Sequence, residues 1–215
     1  MTDHDIMIRR LGKMKNILLA VDVQNGFVKN PYSEKVLARI EDLLSRNLFD
    51  EVIMSRYWNE PGSILSRFMG WNDLCTPESQ ALRPEIAKFV HHEITKDIYS
   101  CMTSEMYDLL RDLNDGEMPG HVFLLGFDTE CCVAMTAAEM FESDIRPLVL
   151  TRYCGSHDGE KYHNAGLVSM EHLIGPDFLI DGNIKTKKDL EDILSTIMQK
   201  QAEYELTAKE LEKNS

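Results

Sequence analysis

Short runs of branched apolar residues alternate with segments of helical periodicity along most of this chain. The run NILLAVDV at 16–23 ends at a polar cluster, which is typical of a strand that is covered on both faces. Strands that alternate with helices predict an α/β fold, a three-layer sandwich with a mostly parallel six-stranded sheet. The six predicted strands are 16–23, 51–58, 92–95, 121–126, 146–151 and 177–180.

Apolar residues at helical spacing separate the predicted strands. In the first such segment, Ser33 is the predicted N-cap of a helix whose apolar stripe is Val36, Leu37, Ile40, Leu43 and Leu44. Residues 59–80 carry Pro and Gly and are too long for a minimal connection, so we expect a functional or mobile loop. The length of 215 residues fits a single domain over 1–215, with a helical extension at about 186–215.

The charge balance narrows the class of partner. A formal net charge of -13 argues against nucleic acid or an anionic membrane surface as the main partner, and leaves a small-molecule ligand open. The N-terminus MTDHDIMIRRLGKMK has no apolar signal region, so no secretory signal is expected. The five cysteines are odd in number and irregularly spaced, which favours free thiols and a cytoplasmic setting.

Reactive side chains of three chemical types, a carboxylate, an ammonium group and thiols, lie at the ends of predicted strands. Asp22 ends the first strand, Lys96 follows the third, and Cys131 and Cys132 open the helix after the fourth. In an open parallel sheet the ligand binds beyond the carboxyl ends of the strands, where these side chains should converge. A carboxylate can take the proton of a thiol, and an ammonium group can hold both in place. These residue types form a workable nucleophilic triad, but helical periodicity does not choose between the two cysteines.

Three motifs, in this order, carry a resemblance to a known superfamily. They are AVDVQNGF at 20–27, TKDIYSCM at 95–102 and GFDTECCVAMTA at 126–137. The chain resembles the isochorismatase-like cysteine hydrolases, which include nicotinamidases and N-carbamoylsarcosine amidohydrolase. The resemblance covers roughly residues 16–180, and the third motif is the most specific.

The resemblance assigns the catalytic roles. It implies that Cys132 is the nucleophile, because Cys132 precedes Val in the family register T-[DE]-x-C-V. Asp22 would be the general base and Lys96 its charged partner. Cys131 is then expected to be a packing residue.

The resemblance also implies a cis peptide bond between Phe127 and Asp128. The backbone N–H groups of Asp128 and Cys132 would form an oxyanion hole. Five further residues are candidate substrate contacts: Gln24, Phe27, Tyr57, Trp58 and Trp71.

One departure from the nicotinamidases concerns metal. Those enzymes carry an Asp-x-His and a further His after the second strand, which bind a metal near the substrate. Here no histidine falls between residues 51 and 90, so we expect no metal and no cofactor. The seven histidines are His4, His91, His92, His121, His157, His163 and His172.

The favoured function is a cysteine hydrolase that cleaves a C–N bond of a small amide-like or carbamoyl substrate through a thioester. Two alternatives stay open: a vinyl ether hydrolase with Asp22 as the acid, and a non-catalytic binding or assembly protein on the same fold. The specific substrate is not readable from the chain. Because many members of the family assemble, we also expect a homo-oligomer.

Overall fold

The computed structural model describes residues 15–213, which leaves the predicted N-terminal features and His4 outside the described residues. The chain divides into two compact units, one of residues 15–183 and another that includes residues 184–213. Over the described range, no helix combines the length and apolarity needed to cross a membrane.

The first unit is built on one six-stranded sheet in which every neighbouring pair is parallel. The strand order is β3-β2-β1-β4-β5-β6. The predicted α/β fold with six parallel strands is thereby confirmed. The strands are β1 (Ile17–Val21), β2 (Glu51–Tyr57), β3 (His92–Lys96), β4 (His121–Phe127), β5 (Arg146–Gly155) and β6 (Leu179–Ile180).

Helices fill the connections between these strands. The segment after β2, predicted to be a long loop, contains two short helices, and a third follows it. The helices are α1 (Pro31–Ser45), α2 (Ile64–Met69), α3 (Pro77–Gln80), α4 (Pro84–Ala87), α5 (Ser104–Leu113), α6 (Ala134–Glu142), α7 (Glu160–Ile174) and α8 (Lys187–Lys213). Helix α8 lies in the second unit.

The start of α1 differs from the predicted cap at Ser33. Asn30 is the N-cap, and its Oδ1 accepts hydrogen bonds from the backbone N–H groups of Tyr32 and Ser33, at 2.9 and 3.0 Å. Ser33 is the third residue of the helix, and its Oγ accepts a hydrogen bond from the backbone N–H of Asn30 at 3.1 Å. The two residues form a capping box, with Pro31 in the first turn where its missing N–H costs nothing.

The strand order reverses between β1 and β4, and this junction positions the site. From β1 the chain moves outward to β2 and β3, whereas from β4 it moves the other way to β5 and β6. Gly126 in β4 has a φ of 122° and lies so close to Val21 that a Cβ would collide with the Val21 carbonyl oxygen. Asp22 follows with a φ of 50°, in the left-handed region that Asp tolerates better than most residues. The two central strands therefore open a crevice at their carboxyl ends.

A buried histidine begins β4. Burial, with a further contribution from the nearby charge of Arg146, lowers the pKa of His121 from its ordinary 6.5 to about 4. Within the described residues its Nε2 has no hydrogen-bond partner. The ring packs edge-on against Phe123, with ring centroids 5.6 Å apart. His121 is therefore neutral in the folded protein at neutral pH.

We predict that protonation of His121 weakens the fold as the pH falls. The unfolded chain binds the proton first, so the stability contribution is complete above pH 6.5 and is lost as the pH approaches 4. The loss amounts to about 3 kcal/mol by linkage. Urea unfolding of His121→Leu and wild type at neutral and acidic pH should show their difference in unfolding free energy shifting by that amount. Substitution of an exposed histidine, His172→Leu, is the control and should leave the pH dependence of the unfolding free energy as in wild type. The same pH dependence in His121→Leu and in wild type would contradict the prediction.

Candidate active site

Asp22, Lys96 and Cys132 meet at the carboxyl edge of the sheet. The Nζ atom of Lys96 lies 2.7 Å from Oδ2 of Asp22 and 3.4 Å from Sγ of Cys132. The side chains of Asp22 and Lys96 are completely buried, and Cys132 is 4% exposed. The structure therefore brings together the three side chains that the sequence places after separate strands.

The ammonium group of Lys96 is fixed from several sides. It donates to the carbonyl oxygens of Ile98 and Tyr99 at 3.1 and 3.0 Å, and it lies 4.9 Å from the ring centroid of Tyr57. Burial lowers the pKa of Lys96, but the charge of Asp22 and the neighbouring thiols raise it more, so the net pKa lies above its ordinary value. Lys96 is consequently a permanent cation at the centre of the site.

A hydrogen-bond chain that sequence reasoning missed orients Asp22. Ser55 Oγ donates to Oδ1 of Asp22 at 2.7 Å and accepts the backbone N–H of Asp22 at 3.1 Å. Cys101 Sγ donates in turn to Ser55 Oγ at 3.2 Å, and the Cys101 N–H donates to Thr136 Oγ1. The available signal was a polar Ser inside the apolar strand β2, beside β1, the strand that Asp22 follows.

Cys132 lies in a π-helical turn, Thr129–Val133, that leads into α6. Thr129 does not cap the helix; its Oγ1 donates to the carbonyl of Gly155 at 3.0 Å and lies 2.8 Å from His163 Nδ1. Gly166 of α7 packs directly on the backbone of Thr129 and Glu130, where a Cβ would not fit. Such wide turns occur frequently at functional sites.

The two adjacent cysteines differ in their surroundings. Burial raises the pKa of Cys132 well above its ordinary value, Asp22 raises it further, and Lys96 opposes the rise. Burial, Glu130 and Asp128 raise the pKa of Cys131 to about 12. Both are neutral thiols at rest, and of the two it is Cys132 that accepts a hydrogen bond from Lys96.

A cavity of about 320 Å³ opens over the thiols. Of the candidate substrate contacts, three aromatic residues line it: Phe27, Tyr57 and Trp71. Trp58 lines a neighbouring depression instead, together with residues of the 60–67 segment. The other lining residues are Leu65, Met69, Tyr99, Asp128, Glu130, Cys131, Cys132, His157, Asp158 and Tyr162.

Gln24 is a buried support rather than part of the cavity wall. Its Nε2 donates to the carbonyl oxygens of Tyr57 and Gln80 at 2.9 and 2.7 Å, and its Oε1 accepts the N–H of Tyr57 at 2.8 Å. All these bonds go to backbone groups. Gln24 therefore fixes where Tyr57 stands in the cavity.

Asp128 contributes its side chain as well as its backbone. The bond between Phe127 and Asp128 is cis, as the resemblance implied. The Asp128 carboxylate accepts the backbone N–H of His157 at 2.7 Å and pairs with His157 Nδ1 at 2.6 Å. Burial raises the pKa of Asp128, and the hydrogen bonds from His157 oppose that rise. The hydrogen bond that His157 makes to the Asp128 carboxylate raises the pKa of His157. Sequence reasoning missed His157 because the two residues lie far apart along the chain.

Comparison with known proteins identifies the family of the chain. The sequence model of the isochorismatase domain matches residues 16–176, three quarters of the chain. The chain belongs to the isochorismatase family. No curated protein gave a significant match.

Solved structures of the isochorismatase fold superpose on most of the chain. An isochorismatase-like hydrolase from Alkaliphilus metalliredigens has a TM-score of 0.63 at 18% identity, covering 74% of this chain and 92% of its own. The nicotinamidase PncA from Bacillus subtilis has a TM-score of 0.60 at 18% identity, covering 75% and 97%. The N-carbamoylsarcosine amidase from Thermoplasma acidophilum has a TM-score of 0.59 at 20% identity, covering 73% and 93%. At these identities the likeness establishes the fold.

This member of the isochorismatase family has an amide after β2, where the resemblance would place metal ligands. Asn59 Nδ2 donates to the carbonyl of Asp73 at 2.7 Å, and its Oδ1 accepts from Ser63 Oγ at 2.6 Å. Asn59 thus ties the connection after β2 together. Across residues 15–213, no group of three or more His, Cys, Asp or Glu side chains could hold a metal ion.

We predict that Lys96→Met destabilises the protein by about 3–5 kcal/mol, because the substitution leaves a buried carboxylate without its partner. The double variant Asp22→Asn/Lys96→Met should lose much less than the sum of the single variants. Urea denaturation measures all three free energies of unfolding. Lys88→Met removes an exposed pair with Glu41 and should cost less than about 1 kcal/mol. Equal losses at Lys96 and Lys88 would refute a structural role for the buried pair.

Proposed function

We propose that the protein is a cysteine hydrolase that cleaves a C–N bond of a small amide-like or carbamoyl substrate. The observation that supports it is the contact of one buried ammonium group, Lys96, with both the Cys132 thiol and the Asp22 carboxylate beside the cavity. This contact supports the proposal because a thiol, a carboxylate and an ammonium group side by side can act as nucleophile, proton acceptor and charge-stabilising group.

The first half-reaction forms a thioester. Cys132 transfers its proton to Asp22 and its sulfur attacks the substrate carbonyl carbon. The backbone N–H groups of Asp128 and Cys132 stabilise the oxyanion, and Lys96 stabilises the developing thiolate. The tetrahedral intermediate then collapses, the C–N bond breaks, and the proton on Asp22 goes to the leaving nitrogen.

The second half-reaction restores the enzyme. Asp22, again a carboxylate, takes a proton from water, and the resulting hydroxide attacks the thioester carbonyl. The carboxylic acid product leaves, and the proton returns from Asp22 to Cys132. Because Cys132 is a neutral thiol at rest, thiolate forms only when a substrate is in position.

We predict that Cys132→Ala abolishes ammonia release from every amide that the wild type hydrolyses, because no thioester can form. Cys131→Ala should keep most of the turnover, since Cys131 lines the cavity without contacting Lys96. A screen of amide and carbamoyl compounds, read by ammonia release, measures both variants. Mass spectrometry of quenched wild type should find an acyl adduct on Cys132. An adduct on Cys131, or a fully active Cys132→Ala, would overturn the assignment.

Two variants, Cys132→Ala and Asp22→Asn, distinguish the two other functions. A vinyl ether hydrolase that uses Asp22 as its acid would lose the cleavage of vinyl ethers in Asp22→Asn but keep it in Cys132→Ala. A binding protein would release no ammonia from any compound and form no adduct. Loss of activity in both variants, together with an adduct on Cys132, supports the thioester route alone.

We predict that activity survives chelation. The Asn59 amide is committed to hydrogen bonds with the connection that it holds, and the proposed steps use Cys132, Asp22 and Lys96. Ammonia release before and after dialysis against EDTA should be equal within error. Loss of activity with recovery on adding one divalent metal, together with stoichiometric metal by elemental analysis, would contradict this prediction.

A further inference from the structure

Most of the charged residues that line the cavity are acidic. They are Asp128, Glu130 and Asp158, with His157 paired to Asp128. No lysine or arginine is among the described lining residues. The nearest ammonium, on Lys96, has a completely buried side chain and is paired with Asp22. A ligand in the cavity therefore meets net negative charge.

Two of the three carboxylates have capacity to spare. Ser156 Oγ donates to Glu130 Oε1 at 2.7 Å, while the buried Oε2 has no hydrogen-bond partner among residues 15–213. The Asp158 side chain is 59% exposed, and its carboxylate lies 3.6 Å from His157 Nε2. Asp128, by contrast, already accepts two bonds from His157. The Asp158 carboxylate is thus open to solvent, and Glu130 keeps one buried carboxylate oxygen without a hydrogen-bond partner, while burial raises the pKa of Glu130.

Another part of the cavity lining consists of aromatic rings, and two of them, Phe27 and Trp71, also pack against the His157 ring at 5.7 and 6.5 Å. Phe27 and Trp71 are stacked, with centroids 6.4 Å apart and planes inclined by 23°. Tyr57 meets Trp71 at 6.0 Å with its plane at 62°. Ring faces attract alkylammonium groups, most strongly where water is excluded. Aromatic rings and carboxylates that line the same cavity are a combination that binds organic cations.

We propose that the cavity selects amides that carry an alkylammonium group and rejects amides that carry a carboxylate. This inference rests on the proposed function, because it names the substrate class of the same Cys132 site. The net charge of -13 acts in the same direction, since the whole protein attracts cations and repels anions. A neutral amide of equal shape gains from burial but not from either electrostatic effect.

Three small amides of similar size test the proposal. Betaine amide carries a trimethylammonium group, 3,3-dimethylbutanamide is its neutral isostere, and malonamate carries a carboxylate. We expect kcat/KM for betaine amide to exceed that of the isostere by about tenfold or more, with malonamate lowest. The double variant Glu130→Gln/Asp158→Asn should reduce the preference severalfold, whereas Glu171→Gln on exposed α7 should keep it. Equal rates for the cation and its isostere, or faster hydrolysis of malonamate, would overturn the proposal.

A binding measurement separates this proposal from the proposed reaction. Calorimetry with Cys132→Ala compares choline and its neutral isostere 3,3-dimethyl-1-butanol, and needs no turnover. Selective binding of choline that is lost in Glu130→Gln/Asp158→Asn supports the cation site, even if wild type hydrolyses no amide and the proposed function fails. Amide hydrolysis by wild type, with no difference between choline and the alcohol in binding, supports the reaction and refutes the cation site.

Discussion

The buried ion pair between Asp22 and Lys96 is the constraint on which the site depends. Removing two charges from water is costly, so the pair persists only because further bonds satisfy both groups. Ser55 donates a hydrogen bond to the Asp22 carboxylate, and the carbonyls of Ile98 and Tyr99 accept hydrogen bonds from the Lys96 ammonium group. Since Asp22 follows β1 and Lys96 ends β3, with β2 between them, the pair also fixes the spacing of three strand ends. Stability and reactivity are therefore coupled at this edge of the sheet.

The same burial governs the proposed nucleophile, Cys132. A thiol deprived of water and placed near a carboxylate stays protonated, and one ammonium contact does not reverse this. A base that is already in place must then act during the reaction, which is the role proposed for Asp22. Cys131, one residue earlier, has a raised pKa without the contact to Lys96. What distinguishes the neighbours is thus the partner of each sulfur rather than its acidity alone.

Periodicity was enough to predict the sheet, because buried parallel strands are continuous apolar runs. Strand ends located Asp22, Lys96 and the adjacent pair Cys131 and Cys132, and the family resemblance chose Cys132 from that pair. Features set by local competition were harder to predict. Ser33 and Asn30 are both good caps, and only the backbone conformation decided for Asn30. The wide turn around Cys132 depends on tertiary contacts of α7 that leave no periodic signal. His157 was missed because its role depends on a partner 29 residues away.

Two buried amides, those of Gln24 and Asn59, fix the backbone that carries part of the cavity lining. The Gln24 amide binds both the N–H and the carbonyl group of Tyr57, and the Asn59 amide donates to the carbonyl groups of Trp71 and Asp73. Each amide lies in the interior, where an unpaired polar group would be costly, so both amides restrict the chain to conformations that satisfy them. Those hydrogen bonds fix the backbone of Tyr57 and Trp71 and so help to position their rings. Changing either amide should therefore move an aromatic wall and alter substrate preference while the Asp22–Lys96 pair stays intact.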